Sequence, residues 1–361
     1  MNIEKRIVQL DGLRAIMCAI IFVSHLNIFP LPKVIDHFYN TYIENPTIAV
    51  DFFFVLSGFG VYYSYSNSST ELKTGFHFAK KRISKMYPIY VVSLVLGVLY
   101  CVTTQAATGS LDLFEVIKII IKLFIALTLT QSLIGDQGIA GTFNAPAWFI
   151  SSLFFSYMLC PLFIKITKRT KNKKELVLNI IATYLLILLL SAIALKIEGI
   201  SLFNGLYDIN YLFYAHPAIR CLYLLMGMQI ARAYTKSFIK ANGMFSTIYI
   251  TASILYYFLR DKLCFSQIQY RAIDVINCCV LLIVVLSNNK IKTLLSNKNL
   301  VDLGNNSAYI YFYHWPIIFL IIEAFSLLNI NKWPYTIIEI SLEIIILIFT
   351  IKTTKTLLRQ K

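Results

Sequence analysis

The chain has 361 residues, of which 58% are hydrophobic and only 14% charged, with a mean hydropathy of +0.68. A soluble globular surface could hardly accommodate that composition. Lys and Arg outnumber Asp and Glu by 33 to 18, a net charge of +15, yet the basic residues fall in short clusters between apolar runs, the distribution of cytoplasmic loops and not of a nucleic-acid-binding face.

A bilayer core takes about 20 mostly apolar residues per helical crossing. Placing the basic clusters at 5–6, 80–85, 165–174, 232–240, 290–298 and 352–361 on the inside predicts ten spans. They lie near 8–28, 47–66, 86–103, 147–164, 176–196, 211–231, 245–260, 270–288, 307–328 and 335–356. Both termini are then cytoplasmic. The stretch 116–133 is apolar enough to cross, but a crossing there would send the 165–174 cluster outside. It is therefore expected to be a re-entrant or interfacial amphipathic helix, with Lys118 and Lys122 one turn apart. The expected fold is an all-α integral membrane protein, a bundle of about ten transmembrane helices plus that extra helix, forming a single domain over 1–361 with no appended soluble domain. The seven cysteines lie mostly in apolar runs without loop pairing or metal-ligand spacing, so they read as packing residues and no metal site is expected.

Ionisable groups at bilayer depth are costly, and each marks a functional hypothesis. The first span carries Asp11, Arg14 and His25 within an arc of roughly 60° on one helix face. Arg14 and His25 are separated by roughly 16 Å of helix rise. They read as two stations of one channel, against the alternatives of a snorkelling arginine and an interfacial histidine. The second span opens with Asp51 in 49–59 and enters from outside, which places its carboxylate at about the depth of His25. Two readings stand: Asp51 orients the imidazole as a general base, or it caps the helix. Ser57 and Gly58 read as helix-packing residues.

Lys80, Lys81, Arg82 and Lys85 precede the third span, where they set topology, bind lipid headgroups or hold a polyphosphate ligand. Asn144, Pro146 and Trp148 open a later span. His216 and Arg220 stand one turn apart near its outer half in another, and His314 with Trp315 sits among tyrosines in the ninth. His314 is either a site residue or an interhelical hydrogen bonder.

Taken together, 10–15 with its arginine, ten residues and a histidine, then 51–59, 82–88, the Trp148 segment and 311–316 resemble the membrane-bound acyltransferase 3 family, which includes bacterial O-antigen and exopolysaccharide O-acetyltransferases. The resemblance covers essentially the whole chain. It implies transfer of an acyl group, commonly acetyl from cytoplasmic acetyl-CoA, onto a hydroxyl of a cell-surface or lipid-linked glycan, with no bound cofactor. Arg14 and His25 match the family's functional pair. The family's R-x-x-R pattern ends here in Lys85, which supplies charge but not a bidentate fork. Many sugar O-acetyltransferases carry a glutamate five residues after the tryptophan, where this chain has Leu153.

The expected site follows. His25, with Asp51 and Arg14, is catalytic; Arg14, Arg82, Lys85, His314 and Trp315 bind the donor; His216, Arg220 and Trp148 meet the acceptor. His25 acts either as base or as transient acyl carrier. The competing class is a polytopic transporter or flippase for a glycan, lipid or ion, since buried Asp, Arg and His also mark transport paths.

Overall fold

The computed structural model describes residues 6–26, 39, 43, 46–66, 75–197, 209–238, 241–259, 267–287, 289–328 and 336–359, and among these there are helices and no strands. In chain order the helices are α1 (Val8–Ser24), α2 (Thr47–Tyr65), α3 (Gly75–Ile83), α4 (Tyr87–Ala107), α5 (Leu113–Leu127), α6 (Trp148–Met158), α7 (Cys160–Arg169) and α8 (Lys173–Ile197). They continue with α9 (Ile209–Ala215), α10 (Pro217–Thr235), α11 (Gly243–Leu259), α12 (Gln267–Ser287), α13 (Asn289–Leu295), α14 (Lys298–Asn305), α15 (Ser307–Leu327) and α16 (Thr336–Arg359). Single helical turns separate some of them.

Every stretch expected to span holds a helix, although the expected limits at 28, 260, 288 and 335 fall outside the described residues. By length and composition, four helices are apolar and long enough to cross a bilayer: α2, α4, α8 and α15. A fifth crossing arises if α6 and α7, bent by 54° at their junction, form one broken span. Pro161 lies at that break, where a ring without an N–H cannot continue the ladder of α6.

The 116–133 region forms α5 and a short 3₁₀ turn, Gln131–Leu133. Fifteen residues rise only about 22 Å, too little to cross alone. Asp112 caps its start by accepting from the Glu115 N–H at 2.8 Å. Leu113, Phe114, Ile120 and Phe124 are exposed, and Lys118 pairs with Glu115 at 2.6 Å while lying 4.3 Å from the Phe114 ring centroid. An apolar exposed face with lysines on it suits a helix lying in a membrane interface.

Close helix packing rests on glycine. α2 and α10 meet so tightly that a Cβ on Gly58 would lie 1.8 Å from the Leu224 carbonyl oxygen, and one on Gly227 would lie 1.9 Å from that of Val55. This reciprocal pair brings two backbones together without intervening side chains, the packing mode that lipid-embedded helices favour. Gly58→Leu is expected to force the crossing apart and lower stability by at least about 1–3 kcal/mol, read as a fall in the thermal unfolding midpoint of the detergent-purified protein. An unchanged midpoint would rule out the contact. The start of α1 is held the same way against α13 and α14, with Gly12 on the Leu295 carbonyl and Gly304 on that of Asp11.

Candidate active site

The two ends of α1 carry different chemistry. At its start Asp11 is buried and accepts from Arg6 Nε at 2.8 Å through Oδ2 and from Arg14 Nη1 at 2.8 Å through Oδ1. Arg6 also reaches Asn305, tying α1 to α14. Arg14 keeps 40% of its side chain exposed and lies within electrostatic reach of Arg82 and Tyr157. The Arg82 guanidinium stands 5.4 Å from the Tyr157 ring centroid. Nearby, Arg232 at the end of α10 donates to the Thr170 carbonyl at 2.8 Å. The fold thus brings basic residues from α1, α3 and α10 to one end of the bundle. Asp11 balances only part of that charge, which leaves an anion-seeking surface. Lys85 is exposed in the turn between α3 and α4.

At the other end, His25 caps α1. Its Nδ1 is 2.9 Å from Nε2 of His314, and the two rings stack with centroids 5.0 Å apart. Trp315 meets the His25 ring edge-on at 4.9 Å. His314 is fully buried, whereas His25 is half-buried. The second nitrogen of His314, Nδ1, lies 2.9 Å from the Ile310 carbonyl oxygen. A carbonyl only accepts, so His314 Nδ1 carries the hydrogen. With both rings neutral, His314 Nε2 is then an acceptor, His25 Nδ1 is the donor, and the lone pair of His25 rests on Nε2. A backbone carbonyl two hydrogen bonds away sets the tautomer that a general base needs.

Asp51 plays a different part from the one expected. It is neither the helix cap, a position held by Pro46, nor the orienting partner of His25. Its Oδ1 accepts from Arg220 Nη1 in an ion pair with both side chains essentially inaccessible. The guanidinium sits among aromatic rings, 4.8 Å from Tyr223, 4.9 Å from Tyr214, 5.3 Å from Phe54 and 5.6 Å from Trp148, measured to centroids. The sequence placed Asp51 at the depth of His25, but charge matching across α2 and α10 decides its partner. Arg220 and Trp148, expected at the acceptor, belong to this buried cluster. His216 caps α10, its Nδ1 accepting from the Ala218 N–H at 3.2 Å, which fixes the turn that carries Arg220. Leu153 is 1% exposed and packs in the core.

The helix that carries His314 needs repair because Pro316 lies inside it. Proline has no N–H, so the Phe312 carbonyl loses its ladder partner. Asn144 supplies the replacement: its Nδ2 donates to Phe312 O at 2.8 Å and to Ser93 Oγ at 3.1 Å. Tyr311 Oη donates to the Pro146 carbonyl at 2.8 Å and binds the same two segments again. Asn144→Leu is expected to cost about 1–3 kcal/mol by stranding a buried carbonyl, measured as a lower unfolding midpoint. Asn144→Gln, which retains the donor, should recover part of the loss. Neither the histidine pair nor the Asn144 repair was named from the sequence, although a proline inside an apolar helix signals that some side chain must serve the freed carbonyl.

The acyltransferase 3 family model, described as an acyltransferase domain, matches residues 7–352. Over 98 residues the chain is 33% identical to protein 2 in the picA locus of Rhizobium radiobacter, covering 27% of this chain and 46% of that protein. Over 124 residues it is 28% identical to the acyltransferase MdmB of Streptomyces mycarofaciens, covering 34% of this chain and 30% of that one. The chain thus matches less than half the length of either relative. No solved structure matches it.

Proposed function

The chain belongs to the acyltransferase 3 family, and from that premise we propose that it is an integral membrane O-acyltransferase that moves acetyl from acetyl-CoA onto a hydroxyl of a cell-surface or lipid-linked glycan. The observation that carries this reading is the histidine pair, which leaves a lone pair on His25 Nε2 at the half-buried end of α1 while cationic groups gather at the other end. On this reading the basic end faces the cytoplasm of the cell membrane, and both termini with it. Arg14 and Arg82 take the phosphates of the donor, with Lys85 a weaker contributor from the loop. The pantetheine arm spans the roughly 16 Å of helix rise between Arg14 and His25, and Trp315 borders the thioester.

The step is acyl transfer. His25 Nε2 accepts the proton of the acceptor hydroxyl as its oxygen attacks the thioester carbonyl carbon. The C–S bond breaks, an ester C–O bond forms, and the thiolate takes up the proton and leaves as CoA. His314 holds the His25 ring through this step and spreads the positive charge that the imidazole gains.

Donor binding is testable apart from chemistry. Arg82→Ala is expected to raise the KM for acetyl-CoA by roughly tenfold, the loss of about one charge-assisted contact, with little change in kcat. Lys85→Arg should leave KM equal or lower. A tenfold rise in KM for Lys85→Arg, or none for Arg82→Ala, would move the phosphate site elsewhere. Substrate-dependent glycan uptake without acylation would favour the transporter class.

A further inference from the structure

Beside the histidine pair, a groove of about 440 Å³ runs along the outside of the bundle between α1, α15 and α16. Its walls include Ala19 and Phe22 of α1 and Ile344 and Ile348 of α16, and its mouth carries Lys352, Lys355 and Asn306. Ala19, Ile344 and Ile348 are exposed, so the groove opens sideways to the surroundings of the bundle. We propose that it binds one phospholipid with an anionic headgroup, its acyl chain lying in the groove and its headgroup on Lys352 and Lys355.

Three features select that ligand. The first is charge complementarity at one end only. Lys352 and Lys355 are three residues apart on one helix face, and Lys355 is held in place by donating to Asn306 Oδ1 and by standing 5.5 Å from the Tyr309 ring centroid. A fixed ammonium beside an exposed one is a headgroup clamp of the kind that anionic leaflets attract.

The second is length: from Lys355 to Ile344 the helix rises roughly 16 Å, close to the ~15 Å depth of one leaflet's hydrocarbon. The third is lining chemistry. Below the mouth the walls are apolar, which suits a hydrocarbon chain but not a pantetheine arm, whose amides would be buried without partners. Along α1 the groove is lined by Ala15, Cys18, Ala19 and Phe22, which lie between Arg14 and His25, so its apolar lining is what sets it apart from the proposed donor path. Its inner end reaches the reaction centre all the same, because the Phe22 ring lies 6.3 Å from that of His314.

The test uses the full chain purified in a zwitterionic detergent, with thermal unfolding followed during titration by phosphatidylglycerol or phosphatidylcholine, and lipid retention followed by native mass spectrometry. The wild type is expected to retain phosphatidylglycerol and to gain several degrees from it, with phosphatidylcholine giving little. In Lys352→Gln/Lys355→Gln the apparent affinity for phosphatidylglycerol should fall roughly 30-fold, two basic contacts' worth. Should the double variant fail to fold, Lys352→Gln alone, which removes only an exposed side chain, should give roughly a fivefold loss. Ala19→Trp, which fills the groove, should abolish retention with both lysines intact. Equal response to the two lipids, undiminished phosphatidylglycerol binding in the lysine variants, or displacement of the lipid by acetyl-CoA would overturn the assignment. Because every readout is binding, loss of the acyltransferase reading would leave this result standing.

Discussion

His25→Ala is expected to lower acyl transfer by about 10²–10⁴-fold, the usual contribution of a positioned general base, in protein that keeps its helical content and unfolding midpoint. One nitrogen carries the effect. His25 Nδ1 is committed to His314, so only Nε2 can take the acceptor's proton. His25→Gln retains hydrogen-bonding capacity toward His314 but offers no basic nitrogen and should be nearly as slow. His314 is a positioning residue and should behave differently. His314→Gln should slow turnover less than His25→Ala and shift the pH profile of kcat, because the tautomer lock and the charge-spreading neighbour are altered together. Full activity in His25→Ala would remove this residue from the chemistry, and a His314→Gln enzyme with an unchanged pH profile would remove the relay.

The second large effect is expected at Asp51, and it is one of stability. Removing one member of a buried ion pair leaves the other uncompensated, at a cost of about 3–5 kcal/mol. Asp51→Ala should therefore yield little folded protein or a midpoint many degrees lower, with activity falling in proportion to folded enzyme. Replacing both partners, as in Asp51→Leu/Arg220→Met, should recover much of the stability, since a buried pair often gives way to apolar side chains of similar volume without loss. The Arg220 rings bear on the outcome, because a methionine can pack against the faces that now hold the guanidinium. A stable Asp51→Asn protein with a selective loss of kcat would instead return Asp51 to the role of orienting His25.

How far the sequence reaches can be judged at particular residues. Composition and basic clustering mark a polytopic helical membrane protein; each expected stretch holds helix, and four of these helices, or five crossings with α6 and α7 as one broken span, are apolar and long enough to cross. Period and length suffice there because lipid forces the backbone to satisfy itself within each helix. Gly58 was readable as a packing residue for the same reason: small residues let helix backbones meet. The separation of Arg14 from His25 was likewise fixed by helix rise alone.

Pairings between distant segments were not readable. Asp51 and His25 were expected at one depth, but depth is one coordinate of three, and α10 brings Arg220 to the carboxylate. His314, 289 residues beyond His25, was assigned to the donor channel because nothing local indicates that the two rings meet. Nor does Lys85, on the same basic stretch as Arg82, reveal that it stands in an exposed turn while Arg82 folds back onto Tyr157.

The central claim is that His25 drives transfer of an acetyl group from a thioester to a hydroxyl acceptor. It is tested most directly by reconstituting the purified chain in vesicles with radiolabelled acetyl-CoA and an extract of lipid-linked glycans, then following the label. The wild-type protein is expected to place alkali-labile label on the glycan fraction and to release CoA in equal amount, and His25→Ala to do neither. Label transfer that persists in His25→Ala, or glycan movement into the vesicles with no label on the glycan, would contradict it.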